Sequence, residues 1–191
     1  MRIIKDSWGR VLYTDDFGQD KLEQELSLEG AELSGKRLSG ANLANGNLKG
    51  ANLKSANLDG ADLGSAILEG ASLEDASCIG TMFDDANMVG VRARGADCYG
   101  ANFFLANMSN ANFENANLAG ADLKNTNLQG ARLGGANLGE GKMGAKTQLH
   151  NANLGEAIVD GANFKNALYN QHTIFPEGFD PEKHQMILDC A

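Results

Sequence analysis

Histidine, cysteine and clustered carboxylates are the side chains from which catalytic or metal-binding sites are built, and this chain spaces them poorly for either task. His150, His172 and His184 all fall late in the sequence, with no Cys or carboxylate near them at the short, regular spacing of a zinc site. Cys78, Cys98 and Cys190 form an odd set without a CxxC pair, which excludes a disulfide framework and a thiolate metal site. No GxGxxG follows a strand pattern and no P-loop lysine motif occurs, so the many glycines serve some other purpose than cradling phosphate. The triplet Asn107-Met108-Ser109 has the form of a glycosylation sequon, but Met108 occupies a position read below as core. No catalytic, cofactor-binding or metal-binding residues are assigned.

Binding through the surface is the chemistry that remains. Ile79, Met82, Tyr99, Phe104 and Leu105 are large apolar or aromatic residues at positions that otherwise hold Asn, Gly, Lys and Glu, and Arg92 and Arg94 stand near them in sequence. Outward aromatics and arginines are the residue types that anchor protein interfaces. These seven are the candidate partner-binding patch, and whether they face outward depends on the elements that carry them.

Those elements are repeats. From Leu28 a core residue recurs every five positions to Met143, mostly Leu but also Cys78, Phe83, Met88, Ala93, Cys98, Phe103, Met108 and Phe113. One extra residue near Lys146 shifts the frame, which resumes at Leu149 and runs to Ile174, for thirty units in all. Ala lies two places before the centre in 21 of them, and Asn or Asp stands just before the centre in 16. Gly lies two places after the centre in 14. A period of five matches neither a helix nor an uninterrupted strand. It suits a short extended side that buries its centre and its Ala, then a corner where Gly or Asn accepts positive φ.

Four sides close a coil of twenty residues, and stacked coils satisfy one another's backbone at about 4.8 Å. Residues twenty apart then pile into columns. One column reads Leu33, Leu53, Leu73, Ala93, Phe113, Leu133, Leu154, Ile174. The next ends Cys78, Cys98, Leu118, Leu138, Val159, and the next Phe83, Phe103, Leu123, Met143, Phe164. Phe83 beside a small Cys78 in one coil, and Phe103 with Cys98 and Ala93 in the next, keep the volume of each layer constant, as close packing demands. The core stack of Cys78, Cys98, Phe83 and Phe103 therefore reads as structural. Asn and Asp before the centres are expected to form side-chain ladders between coils.

In units such as Ala51-Asn52-Leu53 and Ala121-Asp122-Leu123 the chain resembles the pentapeptide repeat family, with its A(D/N)LxG consensus. The resemblance covers residues 26–176 and implies an all-β solenoid, a right-handed quadrilateral β-helix, here of about 7.5 coils. Its Leu-centred style is similar to that of bacterial, notably cyanobacterial, members. Some members protect type II topoisomerases such as DNA gyrase by resembling duplex DNA, which is the alternative to a non-enzymatic protein-binding or scaffold role.

An open solenoid end needs covering. Residues 1–25 read as an N-terminal cap, a β-hairpin over Arg2 to Thr14 turning at Ser7-Trp8-Gly9, then a short helix from Asp20 to Leu26, with Trp8 and Phe17 to cover the first coil. Residues 177–191 read as a C-terminal cap whose helix spans Pro181 to Leu188, with Asp180 as N-cap. Either end could join two copies, giving a monomer or a dimer. The 191 residues are 42% hydrophobic and 6% aromatic, with net charge −9, which suits a packed domain and not direct nucleic-acid binding. The N-terminus has no apolar signal core, and no apolar run reaches membrane-spanning length, so a cytoplasmic protein with an unknown protein partner, no membrane and no cofactor is expected.

Overall fold

A computed structural model of the chain describes residues 2–6, 11–15 and 27–190. Most sides of the coil are a single extended position followed by a turn, and as far as Asn137 each pairs in parallel with the side twenty residues away, as in Glu32 with Asn52 and Asn52 with Ser72. The backbone explains why. Leu33 donates its N–H to Asn52 O at 2.7 Å, and Asn52 returns its own to Ala31 O at 2.9 Å. All fourteen corner glycines of the repeat, from Gly30 to Gly161, have φ between 61° and 71°. Asn45, Asn110, Asn115 and Asn125 take the same conformation where Gly is absent.

Four columns of buried centres fill the tube, and each names its face. The Met face covers Leu48, Leu68, Met88 and Met108; the Ala93 face covers Leu73, Ala93 and Phe113. The Cys face covers Cys78 and Cys98, and the Phe face covers Phe83 and Phe103. The Phe83 and Phe103 rings stack with centroids 5.0 Å apart and planes 4° from parallel, and Phe113 meets Phe103 edge-on at 6.1 Å. Thr81 and Thr126 replace Ala at buried positions without an unpaired hydroxyl: each Oγ1 donates to a carbonyl of the preceding coil at 2.8 Å.

The Asn/Asp position has two jobs, one of them unexpected. Ladders exist: Asn117 donates to Asp97 at 2.8 Å and Asn163 to Asn137 at 2.8 Å. More often the side-chain oxygen accepts the N–H two residues on, as Asp62 does from Gly64 at 3.0 Å and Asn102 from Phe104 at 3.0 Å. That local bond closes the corner in the manner of an Asx turn.

The columns differ from expectation beyond Leu138. The pairing step there is 26 residues: Asp122 pairs with Gln148, Arg132 with Ile158 and Asn137 with Asn163. Met143 does not fill a core position. It is fully exposed at φ 58° in a 3-10 turn over Lys142–Gly144, at the tip of a loop thrown out of the coil. Consequently Leu149, not Met143, follows Leu123, Val159 follows Leu133, and Phe164 follows Leu138. Ile174 is not a centre either: it is 55% exposed, and Phe175 packs on the core instead. The physical reason is the ladder. Rejecting six residues lets every later side meet a complete partner, whereas retaining Met143 would leave one residue too many in the coil.

At the N-terminal end, β1 (Arg2–Asp6) pairs antiparallel with β2 (Val11–Asp15) and, through Lys5 and Asp6, with β3 (Ala41–Asn42). Ile4 is buried there. The expected turn at Ser7-Trp8-Gly9, the helix from Asp20 to Leu26 and the role of Phe17 lie outside the described residues.

At the other end the expected helix over Pro181 to Leu188 does not form. Asp180 does accept the N–H groups of Glu182 and Lys183, at 3.0 and 3.3 Å, but the turn stops after one cycle. β5 (Ile187–Leu188) then pairs in parallel with β4 (Leu168–Tyr169). The open edge of the last coil offers ladder bonds that a short isolated helix cannot match. Phe179 stacks on Phe175 at 4.9 Å and on His184 at 4.3 Å, and meets Phe164 edge-on at 5.2 Å, an aromatic cluster beside the last coil.

Candidate interaction surface

The coil distributes the seven patch residues over three faces. Ile79 and Tyr99 stand on the Cys face; Met82, Phe104 and Leu105 stand on the Phe face and its far corner; Arg92 and Arg94 lie on the Ala93 face, opposite the Phe face. Ile79, Met82, Phe104 and Leu105 are exposed. The arginines do not join them. Arg92 donates to Gly70 O at 3.0 Å and approaches Glu74 at 4.0 Å, inside a run of opposite charges that includes Lys54 with Glu74 and Arg132 with Glu114. The Arg132 guanidinium holds the Glu114 carboxyl below its ordinary range.

Tyr99 has a different occupation from a free docking ring. It is half-buried, its hydroxyl donates to Lys142 O at 2.9 Å, and its ring lies so close to Gly141 that a Cβ there would stand 2.7 Å from Cε2. The loop therefore folds back along the Cys face over Gly120 and rests on Tyr99, and Gly141 is required by the contact. Thr147 anchors its exit: its hydroxyl proton lies within reach of both Gly139 O (2.9 Å) and Leu118 O (3.1 Å), while its oxygen accepts from the Gly120 N–H. Loop 140–146 is the feature that the five-residue period concealed.

Leu105 is the other anomaly. It occupies a corner at φ 60°, where its neighbours are Gly, Asn, Ser or Asp, and is 51% exposed. A branched side chain in the left-handed region costs about 1 kcal/mol or more.

The reactive residues stay apart. Cys78 and Cys98 are buried and free, and Cys190 is exposed. Hydrogen bonding to Cys98, then burial, raises the Cys78 thiol well above its ordinary pKa. His150 Nε2 lies 3.1 Å from Asp189, with Nδ1 buried and unpaired; His172 meets Gln171, and His184 stacks on Phe179. Among the described residues no three His, Cys, Asp or Glu side chains converge on a metal position. One depression of about 350 Å³ is lined by Lys54, Glu74, Asp75, Arg94, Gly95 and Asn115, a charged notch without an apolar wall.

The family model for pentapeptide repeats matches the chain over residues 31–70, 71–110 and 106–142, with eight copies. The chain is a pentapeptide repeat protein. As a member of that family it is a right-handed quadrilateral β-helix. No curated protein sequence matches this pentapeptide repeat protein. Among solved structures it is similar to HetL, a pentapeptide repeat protein involved in heterocyst differentiation regulation from the cyanobacterium Nostoc sp. strain PCC 7120. Identity is 24%, over 75% of this chain and 86% of that one, with a TM-score of 0.36. It is also similar to alr5209, a pentapeptide repeat protein from Nostoc PCC 7120, at 33% identity over 59% and 84% of the two chains, with a TM-score of 0.33. Likeness extends to QnrB1, a plasmid-mediated fluoroquinolone resistance protein, at 19% identity over 87% and 78%, with a TM-score of 0.35. No helix among the described residues is long and apolar enough to cross a membrane.

Proposed function

We propose that this pentapeptide repeat protein is a non-enzymatic protein-binding scaffold acting in the cytoplasm, where three free thiols are at home. The hairpin and β5 serve as end caps, and the Phe face with the adjoining corner of the Cys face is the docking surface. One observation carries the reading: Leu105, half exposed, holds a strained positive φ beside exposed Phe104, where Gly or Asn would relieve the strain. Strain kept at the surface marks positions retained for contact and not for stability. Ile79 and Met82 extend the apolar surface around the next corner.

The test is a pull-down from lysate with the wild-type chain and a Met82→Ser/Phe104→Ser variant. A partner retained by the wild type and lost by the variant, with the melting temperature unchanged, is the expected result. Equal recovery by both would remove the Phe face from the reading.

The DNA-mimicking protection of a type II topoisomerase ranks second. Such mimicry needs acidic groups in one continuous stripe, whereas Asp59 stands on the Cys face, Glu69 on the Met face, Glu74 on the Ala93 face and Asp84 on the Phe face. A gyrase supercoiling assay is expected to show neither inhibition nor relief of quinolone poisoning.

A further inference from the structure

The Phe face carries acidic side chains that pair with no cation among the described residues, directly beside its exposed apolar side chains. Three adjacent columns repeat one arrangement. Asp62 lies one coil before Met82, Asp84 one coil before Phe104, and Asp85 one coil before Leu105. The aspartates form one diagonal across the face and the apolar residues a second, parallel to it and displaced by one coil, about 4.8 Å.

The charges on the two opposed faces are handled differently. On the Ala93 face Glu74 is paired with Lys54 at 3.3 Å and Glu114 with Arg132. On the Phe face Lys124 is occupied by Asp122 at 3.0 Å. Among the described residues no Lys, Arg or His pairs with Asp62, Asp84 or Asp85. Asp62 accepts the Gly64 N–H, and the Asp84 carboxylate closes on the same glycine, its oxygens 3.4 and 3.5 Å from where a Cβ would stand. Asp62 and Asp84 thus both border Gly64, with no cation paired to either among the described residues.

We infer that the Phe face docks a cationic amphipathic segment of a partner protein, a helix lying diagonally across the coils. Its apolar stripe covers Met82, Phe104 and Leu105, and Lys or Arg on one flank reach Asp62, Asp84 and Asp85. The inference rests on the protein-binding reading above and adds the chemistry of the partner. An anionic or neutral segment is disfavoured because burying Asp84 and Asp85 against it would strand their charges.

The test is fluorescence anisotropy with three fluorescein-labelled probes: an amphipathic Leu/Lys helical peptide, a scrambled peptide of the same composition, and a Leu/Glu counterpart. The Leu/Lys helix is expected to bind, with affinity falling as salt rises; the Leu/Glu peptide is expected not to bind. Met82→Ser/Phe104→Ser and Asp84→Asn/Asp85→Asn should each weaken binding about tenfold or more. Asp75→Asn/Glu156→Gln, which removes two carboxylates from other corners, should leave it unchanged. Failure of the Leu/Lys helix to bind, equal binding of the scrambled peptide, or equal loss in the Asp75/Glu156 variant would overturn the inference. If the pull-down partner is still lost by Met82→Ser/Phe104→Ser, only the cationic assignment falls; if the partner is retained, the docking face falls with it.

Discussion

At the scale of single residues, position within the five-residue unit decides chemical fate. Cys78 and Cys98 are sealed in one column and Cys190 is outside. A bulky thiol reagent should therefore titrate one thiol in the native protein and three after denaturation; two or three fast thiols would refute the packing. Because Cys78 holds its proton more tightly when folded, the stability it contributes is present below the ordinary thiol pKa. It is lost as pH rises above that value, so the urea midpoint should fall between about pH 8 and 10. A Cys78→Ala variant should lose that slope. At the corner, Leu105→Asn should raise stability by about 0.5–1 kcal/mol, since Asn tolerates left-handed backbone. A lower melting temperature would show that Leu105 packs usefully on its own face.

At the scale of elements, the loop and the two ends carry what the repeat does not. Deleting residues 141–146 joins Glu140 to Thr147 and turns the 26-residue step into the ordinary twenty. The shortened chain should keep its β spectrum and melt within about 5 °C of the parent. A collapse of the spectrum would mean that the loop helps hold the coils. The sequence made the coil legible because its period is covalent and local, and it placed Phe83 against Phe103 correctly. The loop was hidden because Gly141-Lys142-Met143 imitates a repeat unit, small residue then apolar centre, while its ejection is decided by ladder pairing with distant sides. Tyr99 was misread for the same reason: an outward aromatic looks free until the loop that rests on it is known. At the C-terminus Asp180-Pro181 signals a helix start, but no local pattern reports that an open sheet edge lies within reach. The candidate patch was legible as a list of outward residues. Its division among faces, with Arg92 and Arg94 set opposite Phe104, required the column register.

At the scale of the molecule, each coil is held by its two neighbours, so the ends are where stability is weakest. Removing residues 176–191 would uncover Phe164 and the edge of β4 together. The truncated chain is expected to elute as aggregates in size-exclusion chromatography, and a monomeric elution with an unchanged melt would show that the aromatic cluster is dispensable. The hydrogen bonds that join one coil to the next run along the tube axis, as from Leu33 to Asn52 and from Leu53 to Ser72. A molecule tethered at its two tips and drawn apart would thus load a single turn at a time, like thread leaving a bobbin. Each released turn of twenty residues would lengthen the tether by about 60–70 Å, from the reach of an extended chain. A staircase of even increments, broken by one longer step where loop 140–146 lies, would be the mechanical signature of this fold.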